Sequence, residues 1–180
     1  NLSASFHIDE PGFAHQDDMP EVPGPEELQS RADAWADAGM AEEWANRPHP
    51  LDFRYITASP FQRKEPLPPV QQVWFRADGA LPDDQILHTC LLTYASDMTL
   101  LDTTLLPHGT ASVDGRLMMA SLDHAMWFHG PFRADEWLLY DQRTPAGMGG
   151  RGLATGRVFT HDGRLIASVV QEGLIRQLSS

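Results

Sequence analysis

Cysteine is nearly absent from this 180-residue chain, which contains only Cys90. A single cysteine cannot form an internal disulfide framework, and it is compatible with a reducing compartment. No apolar run approaches the roughly 20 residues that a transmembrane helix needs. The sequence also lacks an initiator Met, a basic leader and a signal-type hydrophobic segment at its start. We therefore expect a cytoplasmic protein without a membrane span.

Positive charge is also limited. The chain has 13 lysines and arginines against 25 aspartates and glutamates, which gives a formal net charge of -12. This balance disfavours a nucleic-acid-binding surface, because such a surface needs clustered positive charge. An anionic substrate would therefore have to be bound by a local group of arginines.

The order of predicted elements indicates an α+β fold. Residues 2–8 have strand character but no partner before them, and the acidic, proline-rich residues 9–25 resemble a linker. Apolar spacing and turn signals predict helices over 25–46 and 81–105, and strands over 51–57, 70–76, 117–129, 136–143, 151–160 and 164–176. Antiparallel strands curled around one long helix form a hot-dog-like arrangement.

The long helix carries one polar residue on an apolar stripe that we expect to be buried. The stripe consists of Ile86, Leu87, Cys90, Leu91, Tyr94, Ala95 and Met98. Asp97 projects close to the middle of this stripe, given the helical period. A carboxylate there costs on the order of several kcal/mol unless it is hydrogen-bonded or has a chemical use.

Two more polar residues stand in apolar surroundings. Gln171 shares a strand face with the apolar residues at 165, 167 and 169, so a buried amide there would need a partner such as Asp97. Ser121 lies in a strand with two apolar faces, and alternation does not determine its direction. A structural polar pair is one interpretation. The other is a water molecule held by carboxylate, amide and hydroxyl, with Asp97 accepting its proton.

Other motifs have simpler explanations. GMGGRG at 147–152 matches a dinucleotide fingerprint, but strand-like residues follow instead of a helix, so we expect a connecting loop. On a continuous strand Asp123 and His124 point to opposite faces, as do His124 and His129, which argues against an acid–base pair and a metal site. Cys90 is expected to be a packed core thiol.

Three blocks of the sequence carry a specific family resemblance. They are VWFRADGALPDDQILHTCLLTYASD, ASLDHAMWFHGPFRADEWLLYD and GRGLATGRVFTHDGRLIASVVQEGLIR. Together they resemble the C-terminal half of bacterial acyl-CoA thioesterase II, a chain built of two hot-dog folds joined by a linker. The resemblance implies that residues 1–8 are the last strand of a preceding, missing hot-dog domain. Residues 9–50 would then be a linker with a helix, and 51–178 the C-terminal hot-dog thioesterase domain.

The resemblance also implies a reaction, namely hydrolysis of fatty acyl-CoA thioesters to free fatty acid and CoA. Water would attack directly, without a covalent nucleophile, a metal or a cofactor other than the CoA of the substrate. The catalytic set carried over from the family is Asp97, Ser121 and Gln171. Ser121 stands where many relatives have Thr, so the hydroxyl is kept while the methyl that restricts its rotamer is lost.

Substrate and partner expectations complete this interpretation. Arg133, Arg143 and Arg151 are candidates for contacts to the CoA phosphates, although solvated surface arginines are equally compatible with the pattern. His124 is a further substrate-binding candidate. Closing the site is expected to need either the N-terminal hot-dog half or a second copy, hence a homo-oligomer. The alternatives are a non-catalytic acyl-CoA-binding hot-dog module and another hot-dog enzyme such as a dehydratase.

Overall fold

A curled antiparallel sheet wraps around one long helix in the computed structural model, which describes residues 1–39 and 49–178. The strands are β1 (Leu51–Tyr55), β2 (Val70–Ala77), β3 (Leu117–Ser121), β4 (Ala125–Phe128), β5 (Leu138–Met148), β6 (Arg151–Thr160) and β7 (Leu165–Gln177). They pair in the order β1-β2-β5-β6-β7-β3, and β4 also pairs with β7. The predicted α+β hot-dog arrangement is confirmed.

Two α-helices accompany the sheet. They are α1 (Arg31–Asp37) and the central helix α2 (Gln85–Thr99), which a 3₁₀ segment, Leu101–His108, continues. Short 3₁₀ turns also occur at Pro25–Glu27 and Ser112–Asp114. Within the described residues, neither helix has the length and apolarity that crossing a membrane would require.

The central helix begins at Gln85, four residues after the start of the predicted range 81–105. The Asp84 carboxylate accepts hydrogen bonds from the backbone N–H groups of Ile86 and Leu87, at 2.9 and 3.4 Å. This is N-terminal capping, which satisfies donors that have no partner inside the helix. The face turned to the sheet consists of His88, Leu92, Ala95, Ser96 and Thr99, all buried.

The stripe that we predicted to be buried lies mostly on the outer side of α2, so that prediction is wrong. Ile86, Tyr94 and Met98 are 75, 54 and 51% exposed. The helix carries apolar residues on two sides, and the sheet contacts the side with Ala95 and Ser96. Their small side chains let the helix backbone approach the strands closely, which dense core packing requires.

The sheet has an apolar layer on its outer face as well. Trp74, Trp137, Leu139 and Phe159 form this layer, and Met19, Val22 and Leu28 of the preceding segment pack against it. The indole N–H of Trp74 donates to the Pro23 carbonyl at 2.9 Å. The N-terminal segment is therefore packed onto the sheet over residues 19–28, and its composition did not predict this.

Other boundaries differ from the predictions in the N-terminal region. Residues 2–8 are exposed and lie outside any strand, because a strand needs a hydrogen-bonding neighbour and they find none among the described residues. Their place in a preceding domain stays a prediction. The helix expected over 25–46 is a 3₁₀ turn followed by α1, capped by Ser30. Its remainder, 40–46, falls outside the described residues.

The strand predicted over 117–129 is broken into β3 and β4. At the break, the backbone N–H groups of Leu122 and Asp123 both point to the Glu172 carbonyl oxygen, at 2.9 and 3.4 Å. Two residues of one strand thus oppose one residue of β7, the arrangement of a β-bulge. The extra residue shifts the alternation of side chains at this point. The argument that Asp123 and His124 point to opposite faces, which assumed a continuous strand, therefore does not apply.

Two hairpins agree with their sequence signals. Gly149 and Gly150 have φ values of 62° and 73° and form the tight turn between β5 and β6, as expected for a connecting loop in place of a nucleotide site. Asp162 and Gly163 form the turn between β6 and β7.

Gly156 on β6 is a point of very close packing. A Cβ atom added there would lie 2.3 Å from a ring carbon of Tyr140. The Tyr140 ring is fully buried, and its hydroxyl donates to the Ser96 carbonyl of α2 at 3.1 Å. The missing side chain at Gly156 therefore sets the distance between sheet and central helix.

We predict that Gly156→Ala destabilises the fold by about 1–3 kcal/mol, the usual cost of overpacking a core. Gly147→Ala is the matched control, since its nearest contact would be an ordinary 3.8 Å. Thermal unfolding of both variants measures the difference. Equal midpoints would contradict the role assigned to Gly156.

Candidate active site

Three polar residues from different elements meet at one end of the central helix. Asp97 lies in the last turns of α2, Ser121 ends β3, and Gln171 lies in β7. The Gln171 amide Nε2 donates to Asp97 Oδ1 at 2.5 Å and to Ser121 Oγ at 2.9 Å. The contact between Asp97 and Gln171 that we inferred from the sequence is confirmed, and Ser121 belongs to the same cluster.

Strand pairing places these side chains. Ser121 is opposite Gly173 in the β3–β7 register, two residues from Gln171. Gln171 itself faces the helix, because it alternates with the inward residues Ala167 and Val169 along β7. The sheet therefore carries both the amide and the hydroxyl, and α2 carries the carboxylate.

The Gln171 amide is completely buried and incompletely bonded. Its exposed fraction is 0%. Nε2 donates both of its side-chain hydrogen bonds, and no described residue donates to Oε1. A buried acceptor without a donor costs about 1–3 kcal/mol unless water satisfies it. The cluster thus contains an acceptor suited to the O–H of a bound water.

Asp97 is exposed, in contrast to the apolar burial we expected. It lines an open pocket of about 600 Å³ between α2 and the break that separates β3 from β4. The lining residues are Thr89, Cys90, Thr93, Tyr94, Asp97, Met98, Ser121, Leu122, Asp123 and His124. Cys90 is exposed in this pocket, so the prediction of a packed core thiol is wrong.

The bulge between β3 and β4 brings His124 into the pocket. Asp123 stabilises the break, because its Oδ1 accepts a hydrogen bond from the Glu172 N–H at 2.8 Å. His124 Nε2 lies 3.1 Å from the hydroxyl oxygen of Ser96. The same hydroxyl also lies within hydrogen-bond distance of the Thr93 carbonyl, at 2.9 Å, so the imidazole tautomer decides which group donates to the other. Its role in substrate binding stays a prediction.

Sequence reasoning missed two residues beneath the site. Ser96 is buried and bonds to His124, and its backbone carbonyl accepts the Tyr140 hydroxyl. Burial, followed by the nearby charge of Asp97, raises the pKa of Tyr140 well above its usual value. Tyr140 is therefore a neutral hydrogen-bond donor. No local pattern signalled this, because the contact joins residues 44 positions apart.

The three candidate arginines lie outside the residues that line the pocket. Arg151 pairs with Glu172 at 3.2 Å, and Arg143 is 3.9 Å from Asp141. Arg133 donates to Asp135 at 2.9 Å and to the Leu81 carbonyl at 3.0 Å. Contacts to CoA phosphates stay a prediction for all three, and Arg133 already has a structural partner.

Metal ligation has no evident place in this site. Among residues 1–39 and 49–178, no three His, Cys, Asp or Glu side chains lie close enough together to hold an ion. His129, which was weighed as a ligand with His124, instead bonds to the Ser168 hydroxyl at 2.9 Å.

The architecture defines the class of protein. A crystal structure described as a hot-dog-fold protein from Alicyclobacillus acidocaldarius matches 97% of the chain with a TM-score of 0.71 at 19% identity. At that identity the match supports the fold alone. The protein is therefore a hot-dog protein with a carboxylate–amide–hydroxyl cluster between its helix and its sheet.

The sequence identifies the family. Residues 50–174 match the profile of the acyl-CoA thioesterase family, and the chain belongs to that family. It is 38% identical to acyl-CoA thioesterase 2 of Haemophilus influenzae, over 98% of this chain and 63% of that protein. An acyl-CoA thioesterase II from Mycobacterium marinum is 42% identical, with a TM-score of 0.74, over 95% of this chain and 60% of that one. The chain thus spans less than two thirds of these relatives.

The ion pair of Arg133 gives a prediction about stability. The hydrogen bond from Arg133 is the main reason why the pKa of Asp135 is lowered to about 2. A lowered carboxyl pKa stabilises the fold above about pH 4, and this stabilisation is lost as the pH falls toward 2. Arg133→Gln should therefore lower the melting temperature at pH 7 by about 2–4 °C.

The pH dependence of the melting temperature, compared between this variant and wild type, tests the ion pair. The difference in melting temperature should shrink as the pH falls through 2, because Asp135 then becomes protonated in the wild type as well. Arg143→Gln is the control, because its ion pair is longer and its side chain is 60% exposed. Equal losses in the two variants would reject a specific structural role for Arg133.

Proposed function

We propose that this chain is the C-terminal half of an enzyme that hydrolyses fatty acyl-CoA thioesters to free fatty acid and CoA. The observation that carries the proposal is the bonded cluster of Asp97, Gln171 and Ser121 at the edge of an open pocket. Family membership and the names of the relatives support the same reaction. We also retain the cytoplasm as its compartment, on the basis of its single cysteine.

Each residue of the cluster has a separate role in the proposed mechanism. The Asp97 carboxylate is the general base, which accepts a proton from water as the water oxygen bonds to the thioester carbonyl carbon. Gln171 donates from Nε2 to the carboxylate and so holds the base in position toward the water. Ser121 accepts from Gln171, so its own hydroxyl hydrogen can be donated to the water or the substrate.

The proposed reaction needs only the thioester and water as reactants. Addition of the water gives a tetrahedral intermediate, and its collapse breaks the carbon–sulfur bond. The electron pair leaves with the CoA sulfur, and the proton taken by Asp97 returns to the thiolate or to solvent. The tightly held amide keeps the base in one orientation, which preserves alignment between the water and the carbonyl.

The open side of the pocket indicates what the site still needs. Ile86, Tyr94 and Met98 form an exposed apolar face on α2 beside the cluster. Acyl-CoA hydrolysis benefits from a site that excludes bulk water. We therefore propose that either an N-terminal hot-dog half or a second copy of this chain covers that face. Size-exclusion chromatography with light scattering distinguishes a self-paired assembly from a monomer.

Two predictions test this mechanism, and the first concerns the base, Asp97. Asp97→Asn keeps the size of the side chain but removes the proton acceptor, so turnover should fall by a factor of about 100 to 10,000. A thiol-release assay with a medium- or long-chain acyl-CoA measures it, and circular dichroism checks the fold. Asp78→Asn, in an exposed turn, is the control. Retained turnover would reject the assignment of Asp97, and the absence of turnover in a paired wild-type assembly would leave an acyl-CoA-binding module.

The second prediction concerns the hydroxyl. Ser121→Ala removes the group that accepts from Gln171 and should lower kcat by about tenfold, the effect of losing one hydrogen bond of about 1.4 kcal/mol. Ser121→Thr keeps the hydroxyl and restricts its rotamer, so its kcat should equal or exceed that of wild type. A similar loss in both variants would contradict a positioning role for the hydroxyl.

A further inference from the structure

The active-site pocket is electrostatically unfavourable for the reaction that it is proposed to perform. Asp97 and Asp123 both line it, and none of its described lining residues is Lys or Arg. Addition of water to a thioester moves negative charge onto the carbonyl oxygen. Carboxylates repel this charge, whereas fixed hydrogen-bond donors stabilise it. The proposed mechanism therefore needs a donor for the carbonyl oxygen.

Two hydroxyls that line the pocket are already used inside the helix. Thr89 donates to the Gln85 carbonyl at 2.8 Å, and Thr93 donates to the Thr89 carbonyl at 2.8 Å. A hydroxyl has one hydrogen, so neither group can donate to a ligand while it keeps its present bond.

Three side chains of the pocket keep a strong donor for a ligand, namely Ser121, Tyr94 and His124. The Ser121 oxygen is held by Gln171 beside Asp97, where the attacking water is proposed to bind. Its hydrogen is therefore placed to orient the water. The phenol of Tyr94 and the imidazole of His124 remain as donors for the carbonyl oxygen.

The imidazole is fixed in place, whereas the phenol is not. His124 Nε2 lies 3.1 Å from the hydroxyl oxygen of Ser96, which is completely buried. Tyr94 is 54% exposed, and its hydroxyl has no hydrogen-bond partner among the described residues. A donor stabilises developing charge best when it is already oriented, because it then needs no reorganisation during the reaction. This favours His124.

The contact with Ser96 also determines which ring nitrogen can serve a ligand. Nε2 is engaged with Ser96, and no described residue bonds to Nδ1 of His124. When the Ser96 hydroxyl donates to Nε2, the hydrogen of the neutral ring lies on Nδ1. The buried hydroxyl can therefore hold the imidazole in the tautomer that donates from Nδ1.

We propose that His124 donates a hydrogen bond from Nδ1 to the carbonyl oxygen of the thioester, and that Ser96 is the residue that positions its ring. The proposal rests on the function proposed above. As the water oxygen bonds to the carbonyl carbon, the π electrons of the C=O bond move onto the oxygen, and the hydrogen bond strengthens. The ring keeps its proton. When the carbon–sulfur bond breaks, the electron pair returns and the carbonyl forms again.

The test uses two acyl-CoA analogues that resist hydrolysis and differ in the carbonyl group. In the first, a methylene replaces the sulfur, so the ligand is a ketone whose carbonyl occupies the place of the thioester carbonyl. The second is an S-alkyl-CoA thioether, which has no carbonyl. Infrared difference spectroscopy of the isotope-labelled ketone reports the bond directly, because a hydrogen-bond donor lowers the C=O stretching frequency. The protein is the full chain in the assembly that light scattering identifies.

The carbonyl frequency of the bound ketone should be higher in His124→Ala than in wild type. Affinity for the ketone should fall by about threefold to tenfold, the effect of one hydrogen bond, while affinity for the thioether stays unchanged. His124→Gln keeps an N–H group and should recover part of the frequency shift. Ser96→Ala should raise the frequency by a smaller amount than His124→Ala. With acyl-CoA, His124→Ala should lower kcat by about 100-fold and change KM much less.

The controls separate this donor from other effects. His129→Gln is the matched control, because the His129 ring contacts the Ser168 hydroxyl at 2.9 Å in a similar way but lies outside the pocket lining. It should change neither the carbonyl frequency nor either affinity. Tyr94→Phe removes the competing phenol and should leave the carbonyl frequency at its wild-type value. Circular dichroism checks that each variant is folded.

Three results would overturn the proposal. They are an equal carbonyl frequency in wild type and both His124 variants, an equal loss of affinity for ketone and thioether in His124→Ala, and a frequency rise in Tyr94→Phe instead. Turnover is a separate measurement. A wild-type protein that bonds the ketone through His124 but hydrolyses no acyl-CoA would refute the proposed function and leave the donor standing. A wild-type protein that binds neither analogue would refute both.

Discussion

The buried amide of Gln171 is the contact on which the candidate site depends. It donates from one nitrogen to a carboxylate on the helix and to a hydroxyl on the sheet edge. An amide fully removed from water must keep such bonds or lose about 1–3 kcal/mol for each unpaired group. The same bonds that stabilise the fold therefore fix the positions of Asp97 and Ser121. A substitution of Gln171 in β7 would thus affect both the stability of the fold and the geometry of the candidate site.

The position of the helix relative to the sheet rests on a second set of buried polar contacts. Gln142 of β5 contacts the end of α2: it donates to the Thr99 hydroxyl at 2.7 Å and accepts from the Thr103 hydroxyl at 2.8 Å. Gln71 on β2 joins them through Gln142 at 3.2 Å. Because buried hydrogen bonds are directional, they hold the helix in one rotation more firmly than apolar packing alone. That rotation brings Asp97 to Gln171.

The sequence predicted the overall arrangement well, because turn signals and strand alternation are local properties. It also indicated Asp97 and Gln171, since each is polar among apolar neighbours. The rotation of α2 was predicted wrongly because the helix has two apolar sides, and periodicity could not tell which one the sheet would contact. Ile86 and Met98 were assigned to the core for this reason, whereas the buried face includes the polar residues His88 and Ser96.

Long-range geometry explains the remaining differences. The bulge at 122–123 arises because two N–H groups share the Glu172 carbonyl oxygen, a contact between strands about 50 residues apart. It turns His124 toward Ser96 and lets Asp123 and His124 line one pocket, although alternation on a continuous strand placed these two on opposite faces. The covering of Trp74 by Met19 and Val22 is equally non-local. Local composition therefore described residues 9–25 as a linker without revealing that part of it packs onto the domain.

The outer face of α2 carries apolar residues that lie outside the core of the domain. Burying apolar surface yields about 25 cal/mol per Å², so exposed side chains such as Ile86, Tyr94 and Met98 forgo stability that a soluble helix would ordinarily gain. Two of them, Tyr94 and Met98, also border the active-site pocket. A second hot-dog unit packed on this face, as proposed above, would recover that stability. The exposed side of α2 therefore has the character of an interface, whereas its opposite side, with Ala95 and Ser96, packs on the sheet.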